Sequence, residues 1–119
     1  MKWRKPPEKL VRFFEKKAAT LDCEKRKMFG YPCAFKNGNM FFGTFEDGIF
    51  LRMGQEGVVK ARAMHKEIKP FEPRPGRPMR EYIVLPEKIF ADDSVFDPLL
   101  EESLRYAGTL PPKKPRAKA

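Results

Sequence analysis

His65, Cys23 and Cys33 are the residues best suited to acid–base, nucleophilic or metal chemistry. Their setting supports none of these. His65 lies between Met64 and Lys66 with no second histidine to pair with, so a solvated or locally bonded imidazole is expected rather than a catalytic base. A zinc site takes four ligands at recognisable spacing, and one histidine with two distant cysteines does not supply them. Asp92 and Asp93 read as helix-start residues before general acids or bases. No phosphate-loop or dinucleotide glycine pattern occurs. Two readings of the cysteines stay open: separate buried thiols, or a redox pair whose separation the sequence does not give. The expectation is no catalytic residue, no metal, no cofactor and no small-molecule substrate.

Binding chemistry is better represented. Phe41, Phe45 and Phe50 alternate onto one face of the strand-rich segment, next to Lys36 and Arg52. Such a face stacks bases while its cations hold phosphates, or forms a subunit interface, or is covered internally by the last helix or the proline-rich segment. Arg74-Pro-Gly-Arg77-Pro-Met-Arg80 presents three guanidiniums on a stiffened backbone. They suit bidentate contact with carboxylate or phosphate, or simple pairing within the sheet. Lys113, Lys114, Arg116 and Lys118 make the C-terminal end a candidate salt-sensitive handle for nucleic acid, or only a solubilising end.

The charge balance explains where such contacts would lie. The 119 residues carry 25 Lys+Arg against 16 Asp+Glu, a net charge of +9. Residues 1–7 hold Lys2, Arg4 and Lys5 without an acid, and residues 111–119 hold the four tail cations without an acid. The intervening body is dipolar. Lys60–Arg80 has seven bases and two acids, whereas Glu87–Glu102 has six acids and one base. A dipolar body suits self-association or a partner of matching pattern, which puts a protein partner or homodimer ahead of nucleic acid. The 41% hydrophobic content rules out a wholly disordered chain. The apolar runs are too short for a membrane span, and no secretory signal pattern opens the chain. A cytoplasmic location with reduced thiols is expected.

The elements that must position these residues follow from periodicity. Leu10, Phe13, Phe14, Ala18 and Leu21 predict an amphipathic helix over about Glu8–Asp22. Asn37-Gly38 and Asp47-Gly48 predict two tight hairpins, hence a three-stranded meander within Lys25–Met53. The implied pairs are Phe35–Met40, Cys33–Phe42, Thr44–Leu51 and Phe42–Met53. They put Cys33, Phe35, Met40, Phe42, Thr44, Ile49, Leu51 and Met53 on a core face. Ala34, Lys36, Phe41, Gly43, Phe45, Phe50 and Arg52 fall opposite. Gln55–Met64 predicts a weak helix. The prolines across Pro70–Pro78 exclude a regular central strand. Met79–Leu85 predicts a strand ended by Pro86. A last helix starts near Asp92-Asp93-Ser94, with Pro98 in its first turn and Gly108 as its stop.

This order, with Arg26-Lys27-Met28-Phe29-Gly30, Asn37-Gly38-Asn39-Met40-Phe41 and Met79-Arg80-Glu81-Tyr82-Ile83-Val84-Leu85-Pro86, resembles the TfoX N-terminal domain family. The chain is similar to its single-domain members. The resemblance implies a two-layer α+β fold, an antiparallel sheet with helices on one face, in the order α-β-β-β-α-(β)-β-α, like the YjbR and secretion-chaperone-like proteins. It implies a link to the Sxy/TfoX competence regulators, which act in bacterial transcription with the cAMP receptor protein. It supplies no catalytic residues. The expected organisation is a basic segment over 1–7, the domain over 8–108 and a mobile basic tail over 109–119. The expected function is a non-enzymatic association or regulatory module. It would use Phe41, Phe45, Phe50, Arg52, Arg74, Arg77 and Arg80, with accessory nucleic-acid binding as the alternative and an unrecognised enzyme third.

Overall fold

A computed structural model describes residues 7–28, 30–74 and 76–112, with backbone only at 28, 73, 74, 77 and 78. Helix α1 spans Glu8–Ala18, shorter than the periodicity predicts. It buries Leu10, Phe14 and Ala18, one residue per turn on a single stripe. Glu8 in its first turn and Lys16 and Lys17 in its last suit the helix dipole. Past Ala18 the bonds tighten to three-residue spacing, and the Thr20 hydroxyl donates to the Lys17 carbonyl, so the helix ends before Asp22.

The expected meander has four strands, not three: β1 Glu24–Met28, β2 Tyr31–Lys36, β3 Asn39–Phe45 and β4 Gly48–Arg52. The extra strand pairs Met28 with Tyr31 across a two-residue turn. Gly30 holds φ +83° there, a left-handed value that favours glycine. β1 is Glu-Lys-Arg-Lys-Met with residues 24–27 exposed, so it shows none of the apolar alternation that marks a half-buried strand. Asn37-Gly38 forms the expected hairpin, both residues at positive φ. The second turn is Glu46-Asp47, one residue earlier than expected, closed by Phe45 opposite Gly48. Thr44 therefore pairs with Ile49 and Phe42 with Leu51. Gly48 is there for packing: a Cβ would come 2.9 Å from Val84 Cγ2.

A register shift at Ala34/Phe35 changes the expected faces. Phe35 pairs with Met40 as predicted, but Ala34 pairs with Phe42 and Cys33 with Gly43. Phe41 is the extra residue of a bulge. Side chains alternate faces only while the ladder is regular, so Phe41 and Phe42 both join the helix-side core. Ala34 joins them, whereas Cys33, Phe35 and Met40 belong to the opposite cluster.

After β4 come α2 Gly54–Met64, β5 Lys69–Arg74, β6 Arg77–Leu85, a short α3 Glu87–Phe90 and α4 Asp93–Thr109. Asp92 caps α4, its carboxylate accepting from the Ser94 amide at 3.1 Å and the Ser94 hydroxyl at 2.6 Å. The helix runs well before Pro98, which lies inside it rather than in its first turn, and passes through Gly108 to end at Leu110. The sheet order is β1-β2-β3-β4-β6-β5, antiparallel throughout. The helices pack on one face, giving a two-layer α+β fold. The proline-rich segment enters the sheet as β5, at the edge, where Pro70 and Pro73 cost no central ladder bond.

The other face is also covered. Phe71 of β5 lies 5.3 Å from Phe45 of β3, centroid to centroid, and stacks on Phe50 of β4 at 4.8 Å and 8°. In a flat sheet β5 and β3 would be three strand spacings apart, about 14 Å. The sheet must curl, and register shifts on both sides of Phe71 provide the bend. Tyr31, Cys33, Phe45, Phe50, Phe71 and Tyr82 form this second core.

Candidate interaction surfaces

Arg52 closes β4 beside the start of α2. Its Nε and Nη2 both lie 2.7 Å from one Glu81 carboxylate oxygen. The guanidinium also faces two rings, at 5.5 Å from the Tyr82 centroid and 6.0 Å from that of Tyr106. Burial is the largest single effect and works against its charge, but the Glu81 bond together with the charge interactions of Tyr82, Glu81 and Tyr106 holds the Arg52 pKa above its usual value. Burial, reinforced by Glu81, also raises the Tyr106 pKa. Burial pushes Tyr82 up to about 12, and its hydroxyl donates to the Met40 carbonyl at 2.9 Å.

Tyr106 lies against Gly54, where φ is +77° and a Cβ would sit 2.8 Å from the ring. The first turn of α2 and the last turns of α4 thus meet with little space between them at Gly54, then separate. A cavity of about 590 Å³ opens there, edged by Lys60, Glu81, Glu102 and Arg105. A second hollow of about 420 Å³, with Met64, Val95, Pro98 and Leu99 in its lining, shares Glu102 and Arg105 with the first. The two form one cleft between α2 and α4. On α2, Met64 lines this cleft and is 67% exposed, while Val59, outside it beside Gln55, Glu56 and Lys60, is 69% exposed; these are the large hydrophobics most open to solvent among the described residues.

Two adjacent valines explain this exposure. Val58 and Val59 are 100° apart on a helix, so burying Val58 turns Val59 outward. α2 seats itself with Gly54, Val58 and Ala61, small residues that allow close approach to the sheet. Sequence reasoning gave a weak helix over Gln55–Met64 and singled out neither valine. It also missed Glu81 and Tyr106, whose partners come from β4 and α4 and are invisible to local spacing.

The predicted site residues do not come together. Phe41 is buried on the helix side, and Phe45 and Phe50 are buried in the curled core, so these three rings offer no exposed face to a partner or a base. Of the three expected uses of those rings, internal cover by the proline-rich segment is the one observed for Phe45 and Phe50. Arg52 is committed to Glu81 and the tyrosines. Arg80 is exposed on β6. The side chains of Arg74 and Arg77 lie outside the described residues, as do Lys113, Lys114, Arg116 and Lys118. Cys23 packs with the helix-side core and Cys33 with the other, so the sheet separates them, and of the two readings separate thiols with no disulfide between them is the one observed. His65 lines the cleft beside Met64.

Residues 17–107 match the family described as the TfoX N-terminal domain. The chain belongs to that family. TfoX N-terminal domains are non-catalytic modules, and among the described residues no group of three or more His, Cys, Asp or Glu could hold a metal ion. Nor is any described helix of this TfoX N-terminal domain long and apolar enough to cross a membrane. No curated protein matches the chain.

Proposed function

We propose that this TfoX N-terminal domain is a protein-association module of a regulatory assembly in the bacterial cytosol, docking its partner on the outer side of α2 and the α2–α4 cleft. The carrying observation is the exposure of Met64 where it lines the hollow with Val95, Pro98 and Leu99, with Val59 exposed farther along the same helix, outside the cleft. Apolar side chains rimmed by charges are the usual form of a protein contact. Lys60, Glu102 and Arg105 supply that rim. Family membership supports a regulatory setting, linked to transcription or competence, and a non-catalytic mode of action.

The test is light scattering on a sizing column together with affinity capture, comparing the wild type with Val59→Asp and Met64→Asp. Both positions face solvent, so the variants should fold. Loss of a captured partner, or of a dimer, in both variants supports the reading. Identical capture and identical mass in wild type and variants overturns it.

A second reading has its own observation. Lys25, Arg26 and Lys27 are consecutive and exposed on the edge strand β1, a row of charge that favours weak nucleic-acid contact. Arg26 is held over the Phe35 ring at 5.0 Å. Binding to DNA or RNA that falls steeply with salt and weakens in Lys25→Gln/Lys27→Gln supports it; no binding at low salt removes it.

A further inference from the structure

The two grooves beside the Glu46-Asp47 turn form a separate surface. One, about 690 Å³, has an apolar floor that includes Phe45, Phe71, Val84 and Pro86; the two rings are nearly buried, so Val84 and Pro86 supply most of its open apolar surface. Its rim carries Glu46, Asp47, Glu67 and Glu87 against Lys69. Glu67 is already paired with Lys88, and Glu87 with Lys9. Glu46, Asp47 and Lys69 have no ion-pair partner among the described residues, so the rim keeps a net negative charge, with its acids at the turn. The adjoining groove, about 310 Å³, shares Asp47 and Glu87 with the first and is lined by Pro7. Pro7 is where the described chain begins. The chain before it is Met-Lys-Trp-Arg-Lys-Pro: three cations, no acid and the sole tryptophan.

We propose that residues 1–6 of this chain are the occupant of the 690 Å³ groove, docking in cis with Trp3 on the apolar floor and Lys2, Arg4 and Lys5 toward Glu46 and Asp47. Reach permits it: six residues span up to about 20 Å, and the chain enters through a groove that shares its rim with the docking groove. Charge favours it, since the segment is purely cationic and the rim residues without an ion pair are two acids, Glu46 and Asp47, against one cation, Lys69. The opposite end of the chain is a poorer fit. Asn39 donates to the Pro111 carbonyl at 3.1 Å, which fixes that end at the far end of β3 from Phe45. Residues 113–119 would have to run fully extended along β3, about 20 Å, and bring no aromatic ring. The inference does not depend on the α2–α4 cleft, and its test leaves that cleft untouched.

Trp3 reports its own surroundings by fluorescence. The full chain should show tryptophan emission shifted to the blue of its denaturant-unfolded value, with a severalfold drop in acrylamide quenching, both independent of protein concentration. Glu46→Gln/Asp47→Asn should move the emission toward the unfolded value. Lys2→Gln/Arg4→Gln/Lys5→Gln should do the same without touching the folded body, which keeps the test valid if the turn variant is damaged. Emission equal to that of the unfolded chain overturns the proposal. A blue shift that survives both sets of substitutions also overturns it, because Trp3 would then be seated elsewhere. A blue shift that grows with protein concentration replaces cis docking with docking onto a second copy.

Discussion

The two faces of the sheet are covered by different means. On the helix side, Leu10, Phe14, Phe42, Leu51, Ile83, Phe96 and Leu100 pack helices onto strands. On the other side no described helix packs, and the sheet covers itself by curling β5 until Phe71 stacks on Phe50. The first core is secured by many independent side chains from several elements. The second is small and aromatic, and it converges on one ring: Phe71 meets Phe45, Phe50 and Tyr82. Loss of one helix-side contact leaves the layer in place, whereas loss of Phe71 removes the cover itself.

Phe71→Ala tests that contrast most severely. A buried phenylalanine cut to alanine costs about 3–5 kcal/mol, and here it also uncovers Phe45 and Phe50. Chemical denaturation should show the loss, and an environment-sensitive dye should bind the folded variant. A helix-side control, Leu100→Ala, should cost about 2–5 kcal/mol without dye binding. Equal dye binding by both variants would erase the distinction between the faces.

The alkaline limb of stability sharpens it next. Tyr82 sits in the curled core with its pKa raised from 10.0 to about 12. The folded state holds the phenolic proton more tightly than the unfolded chain. Its contribution is therefore complete below pH 10 and is lost as pH rises from about 10 through 12. At 1.36 kcal/mol per pKa unit this amounts to about 2–3 kcal/mol. Tyr82→Phe should flatten that limb. It should also lower neutral-pH stability by about 1 kcal/mol, because the Met40 carbonyl loses its donor. An unchanged alkaline limb in the variant would show that another group governs it.

Ser103 joins the helix layer to the bulge that separates the two faces. Its hydroxyl lies 3.0 Å from the Phe41 carbonyl and 2.7 Å from that of Arg52, with the side chain fully buried. Ser103→Ala should cost about 1–2 kcal/mol by removing a buried donor. Ser103→Val, which adds bulk as well, should cost more. A neutral Ser103→Ala, read by thermal unfolding, would mean that the bulge carries itself.

The bulge also marks where sequence reasoning succeeds and fails. Asn37-Gly38 fixes its hairpin because both residues tolerate positive φ, and that chemistry is local. Helix α1 and the start of α4 are legible for the same reason: apolar spacing and an Asp cap act within a few residues. The extra residue at Phe41 is not local. It depends on Ser103, sixty-two residues away, whose hydroxyl can donate to the displaced carbonyl. One unseen bulge assigned Phe41 to the wrong face, whereas Phe45 and Phe50 keep the expected face and are covered there by Phe71 of the curled β5. Gly48 misled differently: it looks like a turn glycine, yet it serves to let Val84 approach. β1 was hidden because an exposed edge strand needs charge rather than alternation. Of the predicted site, Arg52 alone lies in an informative cluster, and its partner Glu81 is brought to it only by the β4–β6 pairing.

The smallest expected effect lies on the rim of the helix side. Lys17 of α1 reaches Asp93 at 2.9 Å and Asp97 at 2.8 Å, tying α1 to α4. Its bond to Asp93 holds that carboxyl below the usual range. Asp93 therefore contributes stability that is present above its unfolded pKa and is lost as pH falls through the lower folded value. Both acids are exposed and the pair is screened by salt, so Asp93→Asn should leave neutral-pH unfolding almost unchanged and soften only the acid limb. Lys17 keeps Asp97 in that variant, which limits the loss further. A large drop at neutral pH would make the charged rim, rather than the apolar stripe of Leu10, Phe14 and Ala18, the main attachment of α1. The helix-side face would then hang on a few contacts as the curled face hangs on Phe71.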